Sequence, residues 1–162
     1  IQLARRAGAR VIGAARGEHK LRAARDLGAD ATIDYGKDDW PARLLDLTGG
    51  HGADLIFDGV GGTIGHRCLS LTAPAGRFVA YGAPSGDFTR PGTGDRPATV
   101  LSLLDLTTPP GADRRRTEQA LAATAAGRLT PVIGQTLPLH RAADAHTAIE
   151  ARAVTGKTLL LT

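Results

Sequence analysis

The chain has 162 residues, of which 42% are hydrophobic, 22% charged and 4% aromatic, and its formal net charge is +4. This length predicts one domain, or one and a fraction, with enough apolar side chains for a core. No apolar run reaches the roughly 18 residues of a membrane span, and a single Cys excludes a disulfide framework. These features favour a cytoplasmic globular protein that does not bind membranes.

The positive charge comes almost entirely from arginines, which are spread through the helical segments. The one run of them is Arg114-Arg115-Arg116. A nucleic-acid-binding protein clusters its basic residues with aromatic ones on a single face. We therefore interpret the arginines as a solvated surface and expect no nucleic-acid partner.

Hydrophobic periodicity predicts alternating helices and strands from the first residue onward. The first element is a helix over 1–8, which begins without Met and has the character of the middle of a helix. We therefore expect the polypeptide to begin upstream. The elements that follow are a strand over 10–15, a helix over 18–27, a strand over 31–35, a helix over 38–47, a strand over 53–58, a helix over 63–73 and a strand over 77–81.

The second part of the chain is less regular. Residues 83–99 are rich in Gly, Pro and Thr, and this composition predicts a loop. Continuous apolar strands that alternate with helices predict the α/β class, with a parallel sheet covered on both faces. The remaining predicted elements are a strand over 99–106, a helix over 114–126, a strand over 132–137, a helix over 141–152 and a strand over 158–161.

The alternation of strands and helices is typical of nucleotide-binding folds, in which a glycine-rich turn binds the phosphates. A dinucleotide-binding fold places the pyrophosphate on a G-x-G-x-x-G turn between its first strand and its first helix. No such turn precedes a strand–helix unit in this sequence. We therefore expect a Rossmann-type doubly wound parallel sheet that is N-terminally truncated, so that its first strand and glycine-rich turn are missing. In the strand order 3-2-1-4-5-6, the second and fourth strands then keep unpaired edges, which favours aggregation.

Five sequence features occur in an order that is typical of one protein superfamily. The first is IQLARRAGARVIGAARGEHKLRAARDLGADATIDYGKDD, and the second is the LGAD inside it, which precedes a short strand ending in Asp-Tyr. The other three are LTGGHGADLIFDGVGG, AGRFVAYGAPSG and GRLTPVIGQTLPLHRAADAHTAIEARAVTGKTLLL. Together they resemble the cofactor domain of the medium-chain dehydrogenase/reductase superfamily, the zinc-type alcohol dehydrogenases and quinone oxidoreductases. The similarity is greatest to the NADPH:quinone oxidoreductase branch. The resemblance implies an incomplete NAD(P)-binding domain over 1–130. Over 131–162 it implies a segment that returns to a GroES-like catalytic domain, most of which is absent.

The end of the strand over 10–15 carries the information about the cofactor. An NAD site has an acidic residue at this position, where it binds the ribose hydroxyls and repels the extra phosphate of NADP. Here Arg16 directly follows the strand, and Lys20 lies one helical turn later; both suit a phosphate. The resemblance places Lys20 and Tyr35 where relatives contact the 2′-phosphate, whereas Arg16 falls at a position that is often Gly. We predict NADPH, with NADH less favoured; the alternative is that Arg16 and Lys20 are ordinary solvated residues.

Two further turns follow predicted strands, at the edge where open α/β sheets bind their ligands. The resemblance implies that both turns line the nicotinamide-ribose half of the cofactor, where small residues let the backbone approach closely. The alternative is that their glycines serve only tight turns between strand and helix. Asp58 fits a turn residue or a helix cap, and we leave it out of the site. The cofactor-binding candidates in these turns are Val60, Gly61, Gly62, Tyr81, Gly82 and Ala83.

No metal or catalytic residue is predicted in this chain. It contains no C-x-x-C motif and no His/Cys spacing typical of zinc. Cys68 lies in an apolar helical stretch, which favours a buried thiol over a nucleophile. In zinc-dependent relatives, the resemblance implies, most metal ligands belong to the other domain.

The resemblance implies the NADPH-binding portion of an oxidoreductase that transfers hydride to a quinone, an enone or a related carbonyl substrate. The alternative is a non-enzymatic NADPH-binding or interaction module that has lost its catalytic domain. Relatives often dimerise through the edge strand near 99–106. That region is short and flanked by Pro here, so we leave a homodimer as an open alternative.

Overall fold

Helices and strands alternate along the chain, as the periodicity predicts. The structure, a computed structural model, describes residues 1–90, 98–102 and 109–162. These residues belong to two units, one of Ile1 and Leu3–Thr108 and one of Gln2 and Pro109–Thr162. The elements before the second unit are α1 (Gln2–Arg6), β1 (Ile12–Ala15), α2 (Glu18–Asp26), β2 (Ala31–Asp34), α3 (Trp40–Leu47), β3 (Ala53–Asp58), α4 (Gly62–Ser70), β4 (Thr72–Ala80) and β5 (Thr99–Ser102).

Two parallel sheets form from these strands. β1 pairs with β2, with Ala15 opposite Asp34 at the carboxyl ends. β3, β4 and β5 form the second sheet in that order, with Asp58 opposite Ala80. Among the described residues, no hydrogen-bonded pairing joins β1 to β3. This agrees with the predicted strand order, in which these two strands are not neighbours.

Apolar side chains at helical spacing pack the helices against the sheets. Trp40 and Leu44, four residues apart on α3, are buried with Ile33 of β2 and with Leu71 in one cluster. Phe78 of β4 is fully buried in a second cluster, with Leu69 and Ala80. Burial of one such side chain contributes about 1.5–3 kcal/mol to folding.

The prediction for the region around residue 74 was wrong. The sequence predicts a helix over 63–73 and a strand over 77–81, whereas α4 ends at Ser70 and β4 begins at Thr72. Pro74 disfavours the helical conformation at Ala73, and Thr72 pairs with Ala53 of β3 instead of extending the helix. Ala75 adopts a positive φ of 60°, and the register between β3 and β4 shifts there, so the chain enters the strand through a bulge.

The other predicted elements are present, with small shifts at their ends. The predicted loop and the predicted edge strand are described only in part, because 91–97 and 103–108 lie outside the described residues. In the second unit, β6 and β7 pair in parallel. Its elements are α5 (Ala112–Ala125), β6 (Ile133–Pro138), a 3-10 turn (Leu139–Arg141), α6 (Ala142–Glu150) and β7 (Lys157–Leu161). The division at residue 130 stays a prediction.

One face of β3 is open to solvent. Leu55 and Phe57 point to the same side of the strand and are 41% and 62% exposed. Ile56 points to the opposite side, where it packs against the Phe78 cluster. The sequence predicts a sheet covered on both faces, so this exposed apolar surface is a departure from the prediction. No described helix has the length and apolar character needed to cross a bilayer.

We expect the 162 residues expressed alone to self-associate through β3, because one of its edges has no hydrogen-bonded neighbour among the described strands and one of its faces exposes apolar side chains. Phe57→Lys places a charge on this face and should shift the sample toward monomer. Sedimentation velocity measures the distribution. Leu121→Lys is the matched control, because Leu121 is 65% exposed but lies on a helix. A wild-type sample that is monomeric at all concentrations would contradict the prediction.

Candidate functional site

The predicted site residues all follow the carboxyl ends of strands. β1 and β2 end beside each other at Ala15 and Asp34, and β3 and β4 end beside each other at Asp58 and Ala80. In parallel pairs these ends lie at the same edge of the sheet. Two groups result: a basic group of Arg16, Lys20 and Tyr35, and two glycine turns. The first glycine turn comprises residues 59–62 and the second comprises residues 81–89.

The basic group is assembled around the start of α2. The guanidinium carbon of Arg16 lies 5.8 Å from the centroid of the Tyr35 ring, in a cation–π arrangement. Lys20 is half-buried in the first turn of the helix. Among the described residues, neither Arg16 nor Lys20 forms an ion pair, whereas Glu18 pairs with Arg25. Two cationic side chains thus flank a helix N-terminus without an anionic partner in the described part of the chain.

Asp34 is a feature of this region that the sequence analysis missed. Its carboxylate accepts hydrogen bonds from the backbone N–H groups of Gly17, at 3.3 Å, and Gly36, at 2.8 Å. It therefore joins the β1–α2 turn to the turn after β2. An Asp followed two residues later by Gly is an Asx-turn pattern, and this pattern was the available signal.

The two glycine turns are hydrogen-bonded to each other. The Gly62 N–H donates to the Asp87 carbonyl at 3.0 Å, and the Ser85 hydroxyl donates to the Val60 carbonyl at 2.7 Å. Gly61 has a φ of 73°, and a Cβ there would overlap the Asp87 carbonyl oxygen. Only glycine combines this conformation with so close an approach. The small residues therefore let the two turns pack together. This packing explains the glycines on structural grounds, in addition to the predicted contact with a ligand.

Tyr81 lies across the first glycine turn. Its N–H donates to the Asp58 carbonyl at 2.9 Å, which places the residue directly beyond β4. A Cβ on Gly59 would lie 2.6 Å from the Tyr81 hydroxyl oxygen, so the ring rests on the Gly59 backbone. Gly82 also approaches Gly59 closely, and the Ala83 carbonyl accepts a hydrogen bond from Gly86 within the second turn. The structure thus places every predicted residue of this group at one sheet edge.

Asp58 is buried beneath the glycine turns, with 4% of its surface exposed. It accepts hydrogen bonds from Val60 and Gly61 and from the hydroxyl of the buried Thr89. The first two contacts agree with the sequence interpretation of Asp58 as a turn residue. The contact with Thr89 had no signal in the sequence, because Thr89 lies in a stretch predicted only as a loop.

Cys68 is a protected thiol. Burial raises its pKa from 9.0 to about 12, and the negative charge of Asp58 contributes to this increase. The thiolate is the reactive form of cysteine, so the raised pKa argues against a nucleophilic role. Among the described residues, no group of three or more His, Cys, Asp or Glu side chains is arranged to hold a metal ion.

The basic group has the chemistry that a phosphate monoester requires. Arg16 offers a planar donor fork and Lys20 a point charge, and the N-terminus of α2 adds a favourable dipole. A Cβ on Gly17, the residue between Arg16 and the helix, would meet no atom of the described residues within 4 Å apart from those of its two chain neighbours. The chain therefore leaves space beside this glycine, and the residues present have the chemistry that fits the 2′-phosphate end of NADPH.

A parallel α/β unit with a basic group at one pair of strand ends and glycine turns at the next is a Rossmann-type dinucleotide-binding domain. The comparisons with known proteins specify the family. The family model described as "Zinc-binding dehydrogenase" matches residues 1–108. The chain belongs to this family, in the quinone oxidoreductase branch of the medium-chain dehydrogenase/reductase superfamily.

Individual relatives agree with this assignment. A quinone oxidoreductase of Pseudomonas aeruginosa is 34% identical over 171 residues, which cover 99% of this chain and 51% of the relative. The solved structure of Escherichia coli quinone oxidoreductase complexed with NADPH gives a TM-score of 0.88 at 28% identity, over 99% of this chain and 52% of that one. A solved NAD-dependent alcohol dehydrogenase gives 0.84 at 38% identity, over 99% and 46%. The chain thus spans about half the length of the full-length curated relatives it matches.

We expect the Cys68 thiol to react slowly with a disulfide reagent such as DTNB at pH 8. With a pKa of about 12 in the folded chain, its thiolate fraction at this pH is far smaller than in the unfolded chain. The native rate should be at least about 100-fold below the rate in denaturant, and it should rise with pH. Stopped-flow absorbance measures both rates, and the denatured sample is the control. Similar rates in the two states would contradict a protected thiol.

Proposed function

We propose that this chain is the NADPH-binding portion of an oxidoreductase that transfers hydride to a quinone, an enone or a related activated carbonyl compound. The observation that carries the proposal is the basic group, in which Arg16 and Lys20 flank the start of α2 without an ion-pair partner among the described residues. A 2′-phosphate would supply the missing anion. The quinone oxidoreductase relatives support both the reaction and the class of substrate.

Each group of the site has a proposed role in holding the cofactor. Arg16 and Lys20 bind the 2′-phosphate, while Tyr35 keeps the Arg16 guanidinium in place. The two glycine turns contact the nicotinamide-ribose half through Val60, Gly61, Gly62, Tyr81, Gly82 and Ala83. NADPH supplies the hydride when it is bound, and the protein supplies binding and orientation. We assign no catalytic residue to this chain.

NADH is the less favoured cofactor. An NAD site uses a carboxylate at the end of the strand that corresponds to β1, where this chain has Arg16. The nearest acid in the helix, Glu18, pairs with Arg25. Asp34, at the end of β2, is engaged by the N–H groups of Gly17 and Gly36. Both carboxylates thus have partners in the protein, which favours the phosphate-bearing cofactor.

A non-enzymatic NADPH-binding or interaction module is the second candidate, because the residues that we assign to the site all bind the cofactor and none of them is catalytic. The complete open reading frame discriminates between the two functions. A GroES-like domain and a glycine-rich turn encoded upstream of Ile1 would exclude the module. A start codon close to Ile1 would exclude the enzyme.

The test of the cofactor assignment is a comparison of NADPH and NADH affinities in the polypeptide encoded by the complete open reading frame. Arg16→Ala and Lys20→Ala should each weaken NADPH binding by about tenfold or more, because a lost charge-assisted contact costs roughly 1.5–3 kcal/mol. NADH affinity should change by less than about threefold, because NADH lacks this phosphate. Nicotinamide fluorescence titration measures both affinities.

Arg22→Ala is the matched control, since Arg22 is an exposed arginine of the same helix. It should leave the ratio of the two affinities unchanged. Equal losses of NADPH and NADH affinity in the Arg16 and Lys20 variants would contradict the 2′-phosphate assignment. Oxidation of NADPH that depends on an added quinone tests the reaction itself.

A further inference from the structure

Asp58 joins the two glycine turns through both of its carboxylate oxygens. Oδ1 accepts hydrogen bonds from the N–H groups of Val60, at 2.9 Å, and Gly61, at 3.0 Å, in the first turn. Oδ2 accepts a hydrogen bond from the hydroxyl of Thr89, at the end of the second turn, at 2.9 Å. Asp58 and Thr89 are 4% and 3% exposed, so water does not compete effectively for these bonds.

The hydroxyl of Thr89 supplies the hydrogen bond to one of the two carboxylate oxygens of Asp58. Among the described residues it is the one donor to Oδ2, and every buried side-chain polar atom there has a partner. A buried carboxylate oxygen that loses its donor is destabilised, and the side chain turns toward water or another donor. Loss of the Thr89 hydroxyl would therefore also weaken the bonds from Asp58 to Val60 and Gly61.

A glycine in α4 leaves room for the side chains of Asp58 and Thr89. A Cβ on Gly65 would overlap both the Thr89 hydroxyl oxygen and Oδ2 of Asp58. Any larger residue at this position would displace one partner of the bond. The contact therefore depends on three separate parts of the chain: the end of β3, the helix α4 and the end of the second turn.

We propose that Asp58 and Thr89 are positioning residues that hold the two glycine turns as one rigid unit, and that this unit sets the orientation of the nicotinamide ring; the second part rests on the proposed function. Among the described residues, the other hydrogen bonds between the turns involve the exposed residues Ser85 and Asp87, and the Tyr81 ring that rests on Gly59 is also exposed. The Asp58–Thr89 bond is therefore the buried hydrogen bond of this connection. Hydride transfer depends steeply on the alignment of donor and acceptor, so a loosened turn lowers the rate more than it lowers affinity.

Amide hydrogen exchange of the cofactor-free polypeptide from the complete open reading frame tests the connection. Thr89→Val keeps the shape of the side chain and removes its donor. The amides of Val60 and Gly61 should exchange at least about tenfold faster, because loss of the Thr89 donor weakens their bonds to the Asp58 carboxylate. The amides of Gly62 and Ser85, which donate to backbone carbonyls of the opposite turn, should also exchange faster, because the turns are no longer held together. Amides of β2 and α3 should be unchanged. Thr89→Ser keeps the hydroxyl and should restore exchange to the wild-type rate.

Thr72→Val is the matched control. Thr72 is fully buried in the same unit, and its hydroxyl donates to the Cys68 carbonyl rather than to a glycine turn. This variant should leave exchange in both turns unchanged even where it lowers the melting temperature. Should Thr89→Val fail to fold, Asp58→Asn replaces charged bonds by neutral ones and should raise the same exchange rates by about threefold.

Steady-state kinetics test the functional part. Thr89→Val should lower kcat by about tenfold and change KM for NADPH by less than about threefold, and Thr89→Ser should restore kcat. Unchanged exchange in the folded Thr89 variant, or equal acceleration in the Thr72 control, would overturn the connection. A wild-type polypeptide that does not bind NADPH would instead overturn the proposed function and the kinetic part, while exchange still decides whether the pair joins the turns.

Discussion

Parallel pairing between neighbouring strands is the constraint on which this candidate site depends. β1 runs in the same direction as β2, and β3 runs in the same direction as β4. The turns that follow the two strands of each pair therefore lie at one sheet edge. Arg16 and Tyr35 are 19 residues apart in the chain and still come into contact. The glycine turns meet for the same reason. An antiparallel pairing would place the same side chains at opposite ends of the sheet.

The sequence predicts the order and type of these elements because its signals are local. Segments of four to six residues that contain several apolar side chains mark the strands β1, β2 and β3, and periodic apolar positions such as Trp40 and Leu44 mark the helices. The prediction failed at residue 74, where an apolar stretch continued past the true end of α4. The helix ends earlier because Thr72 pairs with Ala53 of β3, and a pairing partner so far away in the sequence leaves no local signal.

In the candidate site, too, local features could be predicted from the sequence, whereas contacts between distant residues could not. The positions of Arg16, Lys20, Tyr35 and the glycines follow from strand ends, and strand ends are visible in a sequence. The partners of Asp34 and Asp58 are not visible, because they depend on which turns the fold brings together. Thr89 lies 31 residues after Asp58, in a stretch with no periodicity. The roles of all these residues toward a cofactor stay predictions.

Each described sheet joins strands that are consecutive in the chain: β1 with β2, β3 with β4 and β5, and β6 with β7. The described pairings therefore join residues about 20 positions apart, and none of them requires the closure of a very long loop. The cluster that buries Ile33 of β2 and Trp40 of α3 also includes Leu71, which lies between α4 and β4. For a protein made on the ribosome from the N-terminus, β1 and β2 are thus available for pairing before β3 is made, whereas the core that covers β2 is complete only after Leu71 has been added.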